Sequence, residues 1–516
     1  MKPAWFAPAA IIVAVALSGS AGSACTSESA SVDVAATIAA EPVTIGSETE
    51  SPGEPKDSTG SSPTPTPTPL SMTPESAKVF PTGERCATVS AERSAAPVVV
   101  KLWNIFGGTI APTTFSDLVT SFNESQSQVR LEVTAVGGAA EMLRRLQESP
   151  ESKWPDIVMA TPQSLKRLVD TGRIIAPGEC ADGERITADL LPVVRSSYSL
   201  RGQLQAFPYG VSTTVLMFDA AEFARAGLDP QDPPSTLDEL RAASKQVVDT
   251  GVSPYGLVLS KWTGHYLINQ GAAQRGAVIA EPDNGHSGGP IGVDYDTPEN
   301  RDAIDWMHEV MTEAGGVWIG LTPSGLEDLT RIVAPTDGAV MTLHSTGSLG
   351  DVIAILDTGS FPTAELGVGA MPGPAPGGLI GGNGLWIVDH GDPERAGAAF
   401  EAIRWLTDRP NLARFDAATG YIPPTLAVAA EPVVAAAWAE HPQLRIGWEQ
   451  VRLLSADAAS AGAAFGPNSE IDELLFALSI AVVEQGESAA NVLPRLTDAA
   501  NALLRNYDAL VVPSGG

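Results

Sequence analysis

From Pro97 onward, short continuous apolar runs alternate with segments in which apolar residues recur every three or four positions. Val98–Trp103 is apolar apart from Lys101 and reads as a buried strand. Residues 112–123 place Phe115, Leu118, Val119 and Phe122 on one helical face. Val129–Val136 alternates and predicts a strand. Gly137-Gly138 turns it into a helix over 139–147, Asp156–Ala160 is the next strand, and 163–171 the next helix. Such alternation predicts a parallel sheet covered by helices, an α/β fold class.

The stretch 203–230 departs from this rhythm. Gln205–Tyr209 reads as a short strand closed by a Pro208-Tyr209-Gly210 turn. Val211–Phe218 is a second β-branched strand, and Asp219 caps a helix ending at Gly227. A buried strand between a turn and a helix suits a chain leaving one globular unit for another. Helices dominate beyond it. Ser235-Thr236-Leu237-Asp238 resembles a capping box opening a helix over 236–250. Thr297-Pro298 opens another, with proline at the first helical position. Apolar strands are predicted at 338–343, 367–371 and 379–388, and helices at 396–407, 431–440, 471–485 and 489–507.

The N-terminal residues follow no such period. Lys2 and the apolar run Ala9–Leu17 predict an export signal, too short to span a bilayer. Gly22-Ser23-Ala24-Cys25 resembles a lipobox, with Gly22 where leucine is usual. That resemblance implies a lipid on Cys25 and an extracytoplasmic protein anchored to the outer face of the cytoplasmic membrane; cleavage after Ala24 is the alternative. Residues 26–96 are rich in Ser, Thr, Pro, Ala and Glu and contain PTPTPTP at 63–69. They cannot bury a core and read as a disordered tether. The chain has three cysteines. If Cys25 takes the anchoring role, Cys86 and Cys180 are left either to pair in an oxidising compartment or to stay as free thiols.

A length of 516 residues implies more than one core. The formal charge of −30 argues against nucleic acid and against anionic membrane surfaces, because few cations remain to neutralise phosphates. Catalytic signatures are missing: no HExxH, no phosphate-binding GxxxxGK[ST], no GxSxG elbow. The six histidines are scattered without metal-ligand spacing. The reading is a binding protein rather than an enzyme, with no metal or cofactor.

Six stretches, in order, carry a family resemblance. They are LWNIFGG at 102–108, PDIVMAT at 155–161, the Pro-Tyr-Gly-Val-Ser-Thr crossing at 208–213, AVMTLHSTGSL at 339–349, LIGGNGLWIV at 379–388 and TGYIPPT at 419–425. Together they resemble the extracellular solute-binding proteins of ABC importers, in the branch that binds maltose and glycerol-3-phosphate. The resemblance implies a two-lobed periplasmic-binding-protein fold of type II, with three crossing segments as hinge and a ligand cleft between lobes. It puts 97–210 and 341–380 in an α/β first lobe, and 211–340 and 381–513 in a mostly helical second lobe. It also implies permease subunits and an ATPase as partners, and a monomer.

Candidate ligand contacts come from two sources. Strand-end position nominates Asn104, Phe106, Glu141, Thr161 and Gln163. The resemblance adds Ser212 and Thr213 of the crossing, Trp262, Ser345, Ser348, Gly382 and Tyr421; His265 joins as a neighbour of Trp262. Each has a plain structural alternative: Asn104 and Gln163 as helix caps, Trp262 as core. Trp386, inside an apolar run, reads as core. Where the phosphate-binding branch carries an arginine in a Gly-x-Arg-x-Gly setting, this chain has Gly462-Ala463-Ala464-Phe465-Gly466. Without that planar donor fork, the expected ligand is a sugar or oligosaccharide. Glycerol-3-phosphate or a glycerophosphodiester is one alternative, a ligand-sensing surface lipoprotein another, and a glycan hydrolase a third.

Overall fold

The computed structural model describes residues 85–90, 96–289, 292–319, 327–333, 338–375 and 377–511. The predicted signal, Cys25 and most of the tether lie outside the described residues.

Ten strands form one mixed sheet: β1 (Val98–Asn104), β2 (Val129–Ala135), β3 (Ile157–Ala160), β4 (Ile174–Ile175), β5 (Phe207–Asp219), β6 (Tyr255–Ser260), β7 (Gly316–Ile319), β8 (Ala339–Ser345), β9 (Leu366–Ala370) and β10 (Ile380–Val388). Their order is β7-β6-β8-β5-β10-β3-β1-β2, with β9 along β5 and β4 along β10. β5 holds the two ends together. All thirteen of its residues are buried. Its first half pairs antiparallel with β10, Phe207 opposite Leu385 through Thr213 opposite Ile380. Its second half lies between β8 and β9, with Leu216 opposite Leu343 and Gly369.

Buried side chains gather on both sides of this crossing. At the β1–β3 end, Phe115, Phe122, Tyr209, Phe400 and Phe415 pack one face. Met142, Trp154, Leu165, Tyr198 and Trp386 pack another. At the β6–β8 end, Phe218, Leu240, Leu257, Met307, Leu475 and Leu493 form a separate core. These are two lobes, and the fold is that of a type II periplasmic binding protein.

Local chemistry sets the helices. Phe115, Leu118, Val119 and Phe122 are the buried stripe of the helix Ile110–Ser125. Thr236 accepts from Glu239 N and starts the helix Leu237–Asp249. Thr297 accepts from Asn300 N, with Pro298 opening Pro298–Thr312.

Several expectations need correction. The Pro208-Tyr209-Gly210 turn does not form: β5 runs straight through it. Pro208 has no N–H to give a ladder, and the register with β10 shifts there, between Asn383 and Gly384. β10 belongs with the first lobe rather than the second, because it pairs with β3. The helix Pro393–Leu406 packs on β1 and on Ile110–Ser125, so it too joins the first lobe. Conversely, β8 pairs with β6 and with the second half of β5, on the second-lobe side. That lobe is mostly helical, as expected, and also contains β6 to β9. The tether ends earlier than residue 96. Cys86 is joined to Cys180, Ala87 N donates to Pro393 O at 2.8 Å, and the Arg85 guanidinium meets Glu179 at 3.0 Å and also Asp389. Residues 85–87 are a strap on the first lobe.

Candidate ligand-binding cleft

Strands β3 and β6 point their carboxyl ends at the same space from opposite lobes. After β3, the turn Pro162–Ser164 carries Gln163. After β6, a helical segment from Thr263 to Gln274 carries His265 and Asn269, with a π-helical turn at Tyr266–Gln270. Asn468, at the start of the helix Asn468–Val483, completes the wall, and Leu379 and Ile380 form the floor. These groups enclose about 20 Å³, little more than one water molecule needs.

The lobes touch around this space. Asn468 Nδ2 donates to Gln163 O at 3.2 Å. Arg167 donates from Nε to Gly466 O at 2.8 Å and from its terminal nitrogen to both Glu470 oxygens, at 2.7 and 2.9 Å. Tyr507 OH donates to Asp170 Oδ2 at 2.9 Å. The His286 ring spans Ser199 O at 2.7 Å and Gly462 O at 3.0 Å. The described conformation is closed.

Behind the cleft, two buried glutamines tie the crossings together. Gln270 donates to Thr214 Oγ1 and accepts from Leu379 N, both at 2.7 Å. Gln450 donates to Thr213 Oγ1 and Thr214 O at 3.0 Å and accepts from Met371 N at 2.9 Å. Thr213 Oγ1 donates to Leu379 O at 2.9 Å, and Thr213 N to Thr346 Oγ1 at 3.3 Å.

Of the residues nominated from sequence, the structure brings Gln163 and His265 to the cavity wall. Thr161 lies beside them, its hydroxyl 3.3 Å from Ser164 Oγ. Trp262 begins the same helical segment as His265, is 39% exposed and carries Lys261 Nζ 4.9 Å from its ring centre. Ser212 and Thr213 are buried in the crossing, Thr213 fully engaged by the hinge bonds. Ser345 accepts from Gly347 N at 3.2 Å, and Ser348 precedes the helix Leu349–Asp357, half-buried.

Others turn inward. Asn104 Oδ1 accepts from Phe106 N at 2.8 Å and shapes its own loop. Phe106 packs among Phe115, Phe415 and Tyr421. Tyr421 stacks on Phe415 at 5.5 Å, and burial pushes its phenol up. Gly382 has φ +86°, and a Cβ there would sit 1.9 Å from Gly210 O, so the glycine serves the close approach of β10 to β5. Glu141 binds Arg144 and then Arg145, which hold its carboxyl down at about 2. Its salt bridges follow the helix surface at i+3 and i+4.

Sequence reading missed Asn269, Asn468, Gln270 and Gln450. Their only local mark is an uncharged amide inside an otherwise buried helical run.

The profile of the bacterial extracellular solute-binding protein family matches residues 117–445. The chain belongs to that family. It is similar to the sn-glycerol-3-phosphate-binding periplasmic protein UgpB of Shigella flexneri, 27% identical over 248 residues, covering 46% of this chain and 54% of the relative. The Yersinia pestis bv. Antiqua UgpB is 29% identical over 245 residues, covering 46% and 53%. The match thus spans about half the length of these curated relatives. Among solved structures, this solute-binding protein resembles the GacH receptor of Streptomyces glaucescens, described in complex with acarbose (16% identity, TM-score 0.65, covering 80% of this chain and 99% of that one). It also resembles UgpB from Mycobacterium tuberculosis in complex with glycerophosphocholine (17%, TM-score 0.63, covering 80% and 99%).

Proposed function

We propose that this protein captures a neutral polyhydroxylated solute, a sugar or oligosaccharide, and delivers it to the permease subunits of an ABC importer powered by an ATPase. The carrying observation is the space between the lobes, where the amides of Gln163, Asn269 and Asn468 and the imidazole of His265 stand among Ile279, Leu379, Ile380 and several alanines. Each ligand hydroxyl removed from water needs a partner there. A ligand that touches both lobes favours the closed form by its differential affinity. The lipid on Cys25 and the tether would keep the folded body near the permeases, and the protein would act as a monomer without catalysis.

Position 464 supports the neutral reading. Ala464 is buried and its N–H is spent on Asn284 O at 2.8 Å. The nearby Arg167 is committed to Gly466 O and Glu470. Similarity to the UgpB proteins favours a second reading, a glycerol-3-phosphate or glycerophosphodiester importer. Gene deletion separates the two. Loss of uptake of a neutral sugar, recovered chemically unchanged inside wild-type cells, supports the first. Loss of glycerophosphodiester uptake alone supports the second, and intact uptake of both classes counts against either.

A further inference from the structure

We infer that His265, Asn269 and Asp472 form one hydroxyl-reading set on the second-lobe wall of the cleft, selecting a neutral polyol over a phosphate ester. The inference rests on the sugar-capture reading above and assigns its selectivity to particular atoms.

His265 Nδ1 lies 3.1 Å from Asp472 Oδ1 and 3.1 Å from Asn269 Nδ2. An ionised carboxylate only accepts, so Nδ1 carries the proton and the ring's lone pair is at Nε2. An amide NH2 cannot donate to an N–H. With its nitrogen toward His265, Asn269 leaves Oδ1 buried and without a partner among the described residues. Turned over, the amide shares Nδ1–H through its oxygen and offers NH2 at the unpartnered position.

The wall then presents an acceptor, His265 Nε2, on a ring whose other nitrogen is held by Asn269 and Asp472. A ligand hydroxyl can donate to that acceptor. A phosphate dianion only accepts. It would leave Nε2 unpaired and stand close to the Asp472 carboxylate. The π-helical turn at Tyr266–Gln270 carries this arrangement, since Asn269 sits within it and is only 8% exposed while lining the cavity. Asp472 acts through His265 and is a positioning residue.

The test is calorimetric affinity of the wild-type protein and of Asn269→Leu, His265→Phe, Asp472→Ala and Asp472→Asn for maltose, ribitol, glycerol-3-phosphate and glycerophosphocholine. Wild type should bind a neutral probe. Asn269→Leu, His265→Phe and Asp472→Ala should each weaken it by about tenfold or more, the cost of unpaired polar groups, and move the affinity ratio toward glycerol-3-phosphate. Asp472→Asn, whose amide oxygen still accepts from Nδ1–H, should restore most of the loss. His265→Phe keeps a ring in place should another variant fail to fold. Equal neutral-probe affinity in wild type and the folded variants overturns the inference and leaves sugar capture standing. Wild-type binding of the phosphate probes alone, or of none of the probes, overturns sugar capture and the inference with it.

Discussion

Gln270 donates its amide N–H to Thr214 on β5 at 2.7 Å while its oxygen takes the backbone N–H of Leu379 at the same distance. One buried side chain on the cleft helix thereby holds two of the strands that cross between lobes. Gln270→Leu should leave a buried N–H and hydroxyl without partners. The expected loss is about 2–4 kcal/mol of unfolding free energy, read from urea melts. A stability equal to wild type would show that these bonds contribute nothing.

Arg167 spans the lobes to Gly466 O and Glu470. These contacts join the two lobes across the cleft, so Arg167→Ala should favour the open form. The pair is partly exposed, so the expected weakening of ligand affinity is modest, about 1 kcal/mol or roughly fivefold. Small-angle scattering should show a more extended particle. An unchanged profile and affinity would remove Arg167 from closure.

Asp416 is buried, and neither carboxyl oxygen has a partner among the described residues. Burial holds its acid well above the ordinary carboxylate range. The unfolded chain therefore loses this proton before the folded one does. Below the unfolded value both states are protonated; as pH rises past it, the folded state is progressively penalised. Asp416→Asn should match wild type near pH 3 to 4 and exceed it increasingly toward neutrality, by up to about 1.4 kcal/mol for each pH unit within that window. A stability difference that stays flat with pH would mean Asp416 is ionised in the fold.

Cys86 and Cys180 close a loop of 94 residues. Cys86→Ser should cost about 3–4 kcal/mol of stability. Ligand affinity should stay as it was, because the strap lies on Pro393 and Glu179, away from the residues that wall the cleft. A large affinity loss in a folded Cys86→Ser protein would place the strap in communication with the hinge.

Local patterns were readable where the physics is local. The apolar stripe Phe115–Phe122, the Thr236 cap and the Thr297-Pro298 start each depend on neighbours within one or two turns, and each appears in the structure. Lobe membership was misread because it depends on distant pairing. Nothing within Ile380–Val388 tells that it will lie against β3, more than two hundred residues earlier. Glu141 looked like a strand-end ligand, yet Arg144 and Arg145 on its own helix already satisfy it. Tyr421 was nominated through the resemblance; its partly buried ring stacks on Phe415 and packs against Phe106. His265 was nominated, but Asp472, 3.1 Å from its Nδ1, lies 207 residues away. No spacing rule joins them.

The account stands most directly on what the cleft binds. Thermal unfolding of the protein should be followed with neutral mono- and oligosaccharides, polyols, glycerol-3-phosphate and glycerophosphodiesters. A solute that binds only the folded state adds about 2.7 kcal/mol at a hundredfold excess over its Kd, and the melting point rises accordingly. A neutral polyhydroxylated solute should raise the melting point, and the phosphate esters little or not at all. A rise confined to the phosphate esters would contradict sugar capture.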